Sequence, residues 1–504
     1  MRPVPFFLFA SALFSLSAQA ANLDGLEARI DAFITTRQSS PDTGVAVGIV
    51  ENGKLIFFKG YGKRDKEKNL PVTESTLFAI GSCSKSFTSL GIAMLADEGK
   101  LNFDEPVRKI LPDFMVSDVS VSEQATFVDL LTHRVGLPRH DLLWYLTDFS
   151  ADELFERLPY LGFNRNPGKG FREGHQYNNL MYVVSGRAIE TLSGKSWEEF
   201  TRERIFDKLG MNRAQFSVEE SQKSENFALP YAGATLLPFK GLKNVGPAGA
   251  INASMGDAVK WVAFWQRGGV TESGERLVSE GKIERLFRRE SSEKIPQVGV
   301  EFDYGLGWFL NEVAGKKVYW HAGNIDGFSA HISFLPGENL GLVVLTNESG
   351  GNVYQLPWKL VQNGNEQKLL PYLIYEHLLG AGDRGLGLLE DNQLVSYLAP
   401  LAPQPLSVKA PTAAFATLLK EIVFHDLGYG RLILREAEGS LALDYYGNVM
   451  PLTATLFPDV YQTPSLDSPG KTWEVRLQRA GEDLLSVSVP MELAVDPILF
   501  VRTE

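Results

Sequence analysis

Apolar residues alternate with other residues from Gly44 to Tyr61, where Val, Ile and Phe flank Asn52-Gly53, a pair suited to a two-residue hairpin turn. A second hairpin is predicted far downstream, with Ala330 to Leu335 and Leu340 to Thr346 on either side of Pro336-Gly337-Glu338-Asn339. Elsewhere the spacing is helical: Leu23 to about Thr36, then Phe87, Leu90, Met94 and Leu95, then Leu180 to Leu192, then the stretch carrying Trp261 and Phe264. Between about residues 80 and 320 helical patterns and Gly/Pro-containing loops dominate. Strands at both ends with helices between them predict an α+β fold, one antiparallel sheet closed by the two chain ends with a mainly helical lobe inserted.

The pattern changes after Gly380. Gly380 to Gly387, followed by Pro400, Pro403, Pro405 and Pro411, reads as a linker. Beyond it Arg431–Leu434, Leu441–Tyr446, Trp473–Leu477 and Leu484–Val489 are short β-like runs separated by turn residues, which predict a small all-β domain. At the other end Arg2, the apolar run Phe6 to Leu16 and the small residues Ala18 and Ala20 read as a secretory signal cut after Ala20. The expected organisation is a signal at 1–20, a first domain at 21–380, a linker at 381–412 and a β domain at 413–504. The expected location is secreted or periplasmic.

Composition narrows the function classes. The chain has 504 residues, 44% hydrophobic, enough for a large core and more than one domain. A formal charge of −12 argues against nucleic acid as the partner. No apolar run after the signal is long enough to span a bilayer. The one cysteine, Cys83, cannot form an internal disulfide. No His-Glu-x-x-His occurs and the seven histidines are scattered, so no metal or other cofactor is expected. The absence of Gly-x-Ser-x-Gly argues against an α/β-hydrolase elbow.

Candidate chemistry centres on Gly81-Ser82-Cys83-Ser84-Lys85, at the head of a helical run. Positions three apart share a helix face, so the Ser82 hydroxyl and the Lys85 amine can meet. Serine needs a nearby base to act as a nucleophile, and lysine serves as one only where burial or positive charge lowers its pKa. Alone, the motif is as readily an N-capping serine. Three further stretches are polar stations in an apolar setting. His133, in Leu-Leu-Thr-His at 130–133, reads as a buried structural group, because no carboxylate or metal-ligand partner sits at useful spacing. Tyr177-Asn178-Asn179 stands at the mouth of a helix, where capping and a cleft-facing phenol and amide are both open readings. Trp320-His321-Ala322-Gly323-Asn324 precedes the second hairpin, with a glycine that permits close approach to a strand.

In this order, Ser82-x-x-Lys85, Tyr177-x-Asn179 and His321-x-Gly323 resemble the three motifs of the penicillin-recognising serine hydrolases, nearest to the class C β-lactamase, D-peptidase and related esterase group. Leu-Leu-Thr-His-x-x-Gly-Leu-Pro at 130–138, Leu-Gly-Met at 209–211 and Tyr-Gly-Leu-Gly-Trp at 304–308 add to the resemblance, which covers roughly residues 24–375. It implies a β-lactamase/transpeptidase-like sheet flanked by helices. It also implies that Ser82 forms an acyl-enzyme, that Lys85 and Tyr177 share the proton work, with Tyr177 the first choice as base and Lys85 the alternative, and that Lys85 lowers the phenol pKa. Asn179 would hold Lys85 and the substrate amide, and the N–H groups of Ser82 and Asn324 would form the oxyanion hole. His321 replaces the usual lysine, so it offers a substrate carboxylate a positive charge only when protonated. The expected activity is hydrolysis of small amides or esters, first of D-amino-acid-containing peptides. A carboxylesterase or weak β-lactamase, and a non-catalytic penicillin- or ligand-binding protein, are the alternatives. The C-terminal domain resembles the lipocalin-like tail of some such peptidases and is a candidate surface for oligomer formation.

Overall fold

The computed structural model of the chain describes residues 21–381 and 421–503, apart from 38–39, 296–299, 351–356, 358, 363–364, 438–439, 456–458, 467–470, 481–482 and 493. The expected signal at 1–20 and all of the expected linker except Ala381 lie outside the described residues.

The two predicted hairpins form the middle and one edge of an antiparallel sheet of eight strands. Its strands are β1 (Val45–Glu51), β2 (Lys54–Tyr61), β3 (Ser291–Ile295), β4 (Val300–Tyr304), β5 (Phe309–Val313), β6 (Lys316–Ile325), β7 (Phe328–Leu335) and β8 (Leu340–Thr346). They run in the order β2-β1-β8-β7-β6-β5-β4-β3, so the two chain ends meet at β1 and β8, with Val45 opposite Thr346. The Asn52-Gly53 turn has both residues at positive φ, as a hairpin of this twist requires. Strands β3 to β5 fall where helices and loops were expected. β3 reads Ser-Ser-Glu-Lys-Ile and forms the outer edge of the sheet, so its polar residues carry no alternating apolar signal.

Alternation in the central strands splits the core. Val45, Val47 and Ile49 of β1 and Leu340, Leu342 and Val344 of β8 bury against α1 (Leu26–Arg37) and the late helix Leu370–Leu378. Ala46, Val50, Val343 and Leu345 face the other way, into the helical lobe. There α2 (Ser84–Asp97) is buried from Ser84 to Ala96, and Phe87 stacks on Trp261 with centroids 3.8 Å apart. A helix apolar on all sides belongs inside a fold, and this one runs through the centre of the lobe. Beside it lie α3 (Leu180–Ser193), ended by Gly194 in the left-handed conformation, and α4 (Met255–Gln266), opened by a Ser254/Asp257 capping box.

Residues 422–502 form a separate nine-stranded antiparallel sheet whose first strand, Ile422–Asp426, pairs with its last, Ile498–Arg502. Each of the four predicted runs is a strand or part of one. Phe424, Leu432, Leu443, Val475, Val487 and Phe500 are fully buried and form its core.

Candidate active site

Ser82 lies on a 3-10 turn, Gly81–Cys83, that runs straight into α2, and Lys85 follows one turn later. The Lys85 Nζ is fully buried and sits 2.8 Å from each of three oxygens: Ser82 Oγ, Asn179 Oδ1 and Ala248 O. The last two are carbonyl oxygens and can only accept, so they take two N–H bonds. The third direction of the nitrogen points at the serine hydroxyl. A neutral Lys85 therefore aims its lone pair at the Ser82 O–H. Burial first, and the positive charge of Arg139 second, hold the Lys85 pKa well below the usual lysine value.

The Tyr177 phenol is hydrogen-bonded to Ser82, and the Lys85 Nζ lies 4.9 Å from its ring centroid. Burial raises the phenol pKa, while the bond to Ser82 and the charge of Arg139 oppose it. This corrects the expectation that Lys85 lowers it: desolvation dominates, and the nearby cation that acts on the phenol is Arg139. The Arg139 guanidinium also stands 4.9 Å from the centroid of the ring and bonds Asp141. Asp141 in turn accepts from Asn179 Nδ2 at 3.0 Å and Trp144 Nε1 at 2.6 Å. Asn178 is structural, donating to the Leu137 carbonyl at 3.2 Å and to the Pro138 carbonyl, and accepting from the Met181 N–H. His133 is buried as expected. It accepts from the Asn178 N–H and packs its ring 4.1 Å from that of Tyr177, so it backs the phenol.

Gly323 explains how β6 completes the site. A Cβ there would fall 1.8 Å from the Ile80 carbonyl oxygen and 2.9 Å from the Ser82 nitrogen. Gly81, at φ +49, would likewise bring a Cβ within 2.9 Å of the Asn324 nitrogen. The two glycines thus let the backbone around Ser82 come into contact with the backbone around Asn324.

His321 does not serve the cleft in the expected way. It is 1% exposed, and its Nδ1 lies 2.6 Å from the Ala322 carbonyl, which can only accept. Nδ1 therefore carries the hydrogen and Nε2 accepts from the Tyr304 O–H at 2.9 Å. Burial, and then the proximity of Lys85, push its pKa down to about 3, so it is neutral at physiological pH and both ring nitrogens are taken. Tyr304, from the Tyr-Gly-Leu-Gly-Trp stretch, has the task of holding it. The Cys83 thiol is also buried, donating to the His321 carbonyl at 3.2 Å.

Sequence reasoning missed Arg139, Asp141 and the Ala248 carbonyl. Arg139 and Asp141 directly follow the Gly-Leu-Pro of 136–138, and charged residues in a loop beside a motif were the available signal. Among the described residues no group of three or more His, Cys, Asp or Glu side chains converges as metal ligands would. No described helix is long and apolar enough to cross a membrane.

An eight-stranded antiparallel sheet beside a helical lobe, with a buried lysine touching a serine at the head of its central helix, matches the β-lactamase/transpeptidase fold. The Beta-lactamase family model matches residues 31–362, well over half of the chain, and the chain belongs to that family. Among curated relatives, an unguisins hydrolase of Aspergillus campestris is 30% identical over 60% of this chain and 58% of its own length. A second unguisins hydrolase, from Aspergillus violaceofuscus, is 26% identical over 79% of this chain and 75% of its own. Among solved structures, the octameric penicillin-binding protein homologue from Pyrococcus abyssi matches with a TM-score of 0.56 and 23% identity over 95% of this chain and all of that one. The D-amino acid amidase from Ochrobactrum anthropi matches at 0.52 and 23%, over 64% of this chain and 92% of its own. At these identities the solved structures speak for the fold alone.

Proposed function

We propose that the protein is an exported serine hydrolase that works through an acyl-enzyme on small amides or esters, with peptides containing D-amino acids as its first substrates. The observation that carries this reading is the contact of Lys85 Nζ with Ser82 Oγ at 2.8 Å inside a buried site that lowers the pKa of the amine. Ser82 Oγ bonds to the substrate carbonyl carbon as its proton passes to Lys85, and the carbonyl oxygen takes its charge to the N–H groups of Ser82 and Asn324. Tyr177 gives its phenol proton to the departing amine or alcohol as the tetrahedral centre collapses, and takes up in its place the proton held by the neighbouring Lys85. Water then attacks the ester by the reverse sequence and frees Ser82. Asn179 holds Lys85 in place, and its amide edge is the nearest partner for a substrate amide. Relatives named as hydrolases support the reaction class, and a D-amino acid amidase of the same fold supports the substrate class by analogy.

The neutral His321 favours a second reading within the same chemistry. Without a cation in the third motif, an uncharged ester is as suitable a substrate as a peptide with a free carboxylate, which points to a carboxylesterase rather than a β-lactamase. Export rests on residues 1–20. Association of copies through the C-terminal domain is supported by the octameric homologue and by the exposed apolar residues Leu485, Leu499 and Val501, and light scattering measures it.

The test is labelling by a fluorophosphonate, located by peptide mass spectrometry. An adduct on Ser82, lost in Ser82→Ala, is the expected result, followed by turnover of D-amino-acid amides or short esters. A folded protein that no such probe labels at Ser82 is a binding protein instead.

A further inference from the structure

Arg139, His140 and Asp141 are consecutive, yet their side chains serve two domains. Arg139 lies against Tyr177 and Asp141 against Asn179. His140 turns the other way, is 1% exposed and meets the C-terminal domain. Its backbone N–H donates to Glu492 Oε2 at 3.0 Å. Its Nε2 donates to the Gly162 carbonyl at 2.9 Å, which leaves Nδ1 to accept from the Tyr429 O–H at 2.7 Å. Tyr429 is itself held firmly: it is buried, its N–H and that of Gly428 donate to Asp426 Oδ1, and its carbonyl accepts from the Tyr445 O–H.

The backbone explains why this grip matters. His140 has φ +47, a left-handed conformation that residues with side chains adopt at a cost and keep only where surrounding contacts over-determine it. That turn sends residue 140 to one side and residues 139 and 141 to the other. Of the three hydrogen bonds made by the ring and the backbone N–H of His140, two are to the C-terminal domain.

We infer that the C-terminal β domain is part of the active site, with Tyr429 and Glu492 as positioning residues that hold His140 in its turn and thereby set Arg139 against Tyr177 and Asp141 against Asn179. The inference rests on the reading of Ser82, Lys85, Tyr177 and Asn179 as the reacting group. Cys83, His133, His175, Tyr182, Tyr304 and His321 also face Lys85 or Tyr177, but they come from the catalytic domain itself. Arg139 and Asp141 are the charged pair whose placement passes through His140. Losing the Arg139 charge favours the protonated forms of Lys85 and Tyr177, so the base frees its proton only at higher pH.

The experiment compares the full-length wild type with Tyr429→Phe, Glu492→Leu and Arg165→Gln. Arg165 pairs with Asp496 in the same domain contact and makes no bond to His140, so it is the control for general loosening. The rate of Ser82 labelling by a fluorophosphonate is followed across pH, with thermal unfolding of each variant. Tyr429→Phe and Glu492→Leu are expected to label about 10–100-fold more slowly, with the rising limb moved to higher pH. Arg165→Gln should keep the wild-type rate and limb. Arg139→Gln should move the limb the same way, and adding Tyr429→Phe to it should change little. Folded variants that label like the wild type overturn the inference, as does equal slowing in Arg165→Gln with an unmoved limb. Should Tyr429→Phe not fold, Glu492→Leu carries the test. A wild type that is not labelled at all defeats the hydrolase reading instead. The fluorine resonance of Trp144 in fluorotryptophan-labelled protein, assigned with Trp144→Phe, then decides the positioning claim without catalysis: Trp144 bonds Asp141, and an unmoved resonance in Tyr429→Phe overturns it.

Discussion

Lys85 owes its chemistry to its surroundings rather than to its identity. An ordinary lysine holds its proton firmly at neutral pH, and burial first, with the charge of Arg139 second, weakens that hold here. Lys85→Met is therefore expected to slow acylation by about 10²–10⁴-fold, measured as the rate of fluorophosphonate labelling of Ser82. The same burial has an opposite face in acid. His321 and His175 are both held near a pKa of about 3, chiefly by desolvation, against an ordinary value of 6.5. Between those values the unfolded chain binds protons that the folded one refuses. Stability is thus complete above about pH 6.5 and falls as pH drops toward 3, by about 1.4 kcal/mol per pH unit for each histidine. Urea midpoints should fall between about pH 7.5 and pH 5, and His321→Gln should flatten that fall; an equally steep fall in the variant would remove His321 from the account. Ser82, Lys85, Tyr177 and Asn179 were legible in the sequence because each falls within a short motif. Arg139 was not, since its partner lies 38 positions away on another element and only the fold brings them together.

At the scale of elements, the site depends on how closely β6 approaches the turn before α2. Gly323→Ala puts a methyl 1.8 Å from a backbone oxygen that cannot rotate aside, so the strand must move off. Acylation is expected to fall by about 10²-fold or more, with a loss of about 1–3 kcal/mol in chemical denaturation. Labelling at the wild-type rate would show that the strand supplies no oxyanion donor. The helices and the two hairpins could be read in advance because one apolar face repeats along each of them, as in Val45, Val47 and Ile49 of β1. Strands β3 to β5 could not. They lie toward the sheet's outer edge, they are short, and Gly305 and Gly307 interrupt the pattern between β4 and β5. Ser82, expected in the first turn of the helix, sits just ahead of α2 on a tighter 3-10 turn whose geometry depends on Gly81.

For the molecule as a whole, one continuous set of buried apolar residues runs from the sheet through the helical lobe and into the C-terminal domain. Two such domains are expected to unfold together, as a single calorimetric transition. Arg157 donates to the carbonyls of Leu427 and Gly428 and lies 3.8 Å from the centroid of the Phe149 ring, so Arg157→Ala should divide that transition in two. A wild type that already shows two transitions would mean the domains are thermodynamically separate. The joining of β1 to β8 has a consequence of its own during synthesis. The first hairpin is made within the first 61 residues, but its neighbour in the sheet ends at Thr346. At ribosomal speed that wait is roughly 15–60 s. Through it the nascent hairpin presents the bare edge of β1, with Val45, Val47 and Ile49 uncovered by their eventual neighbours, and any chaperone that receives this chain early meets a strand in search of its partner.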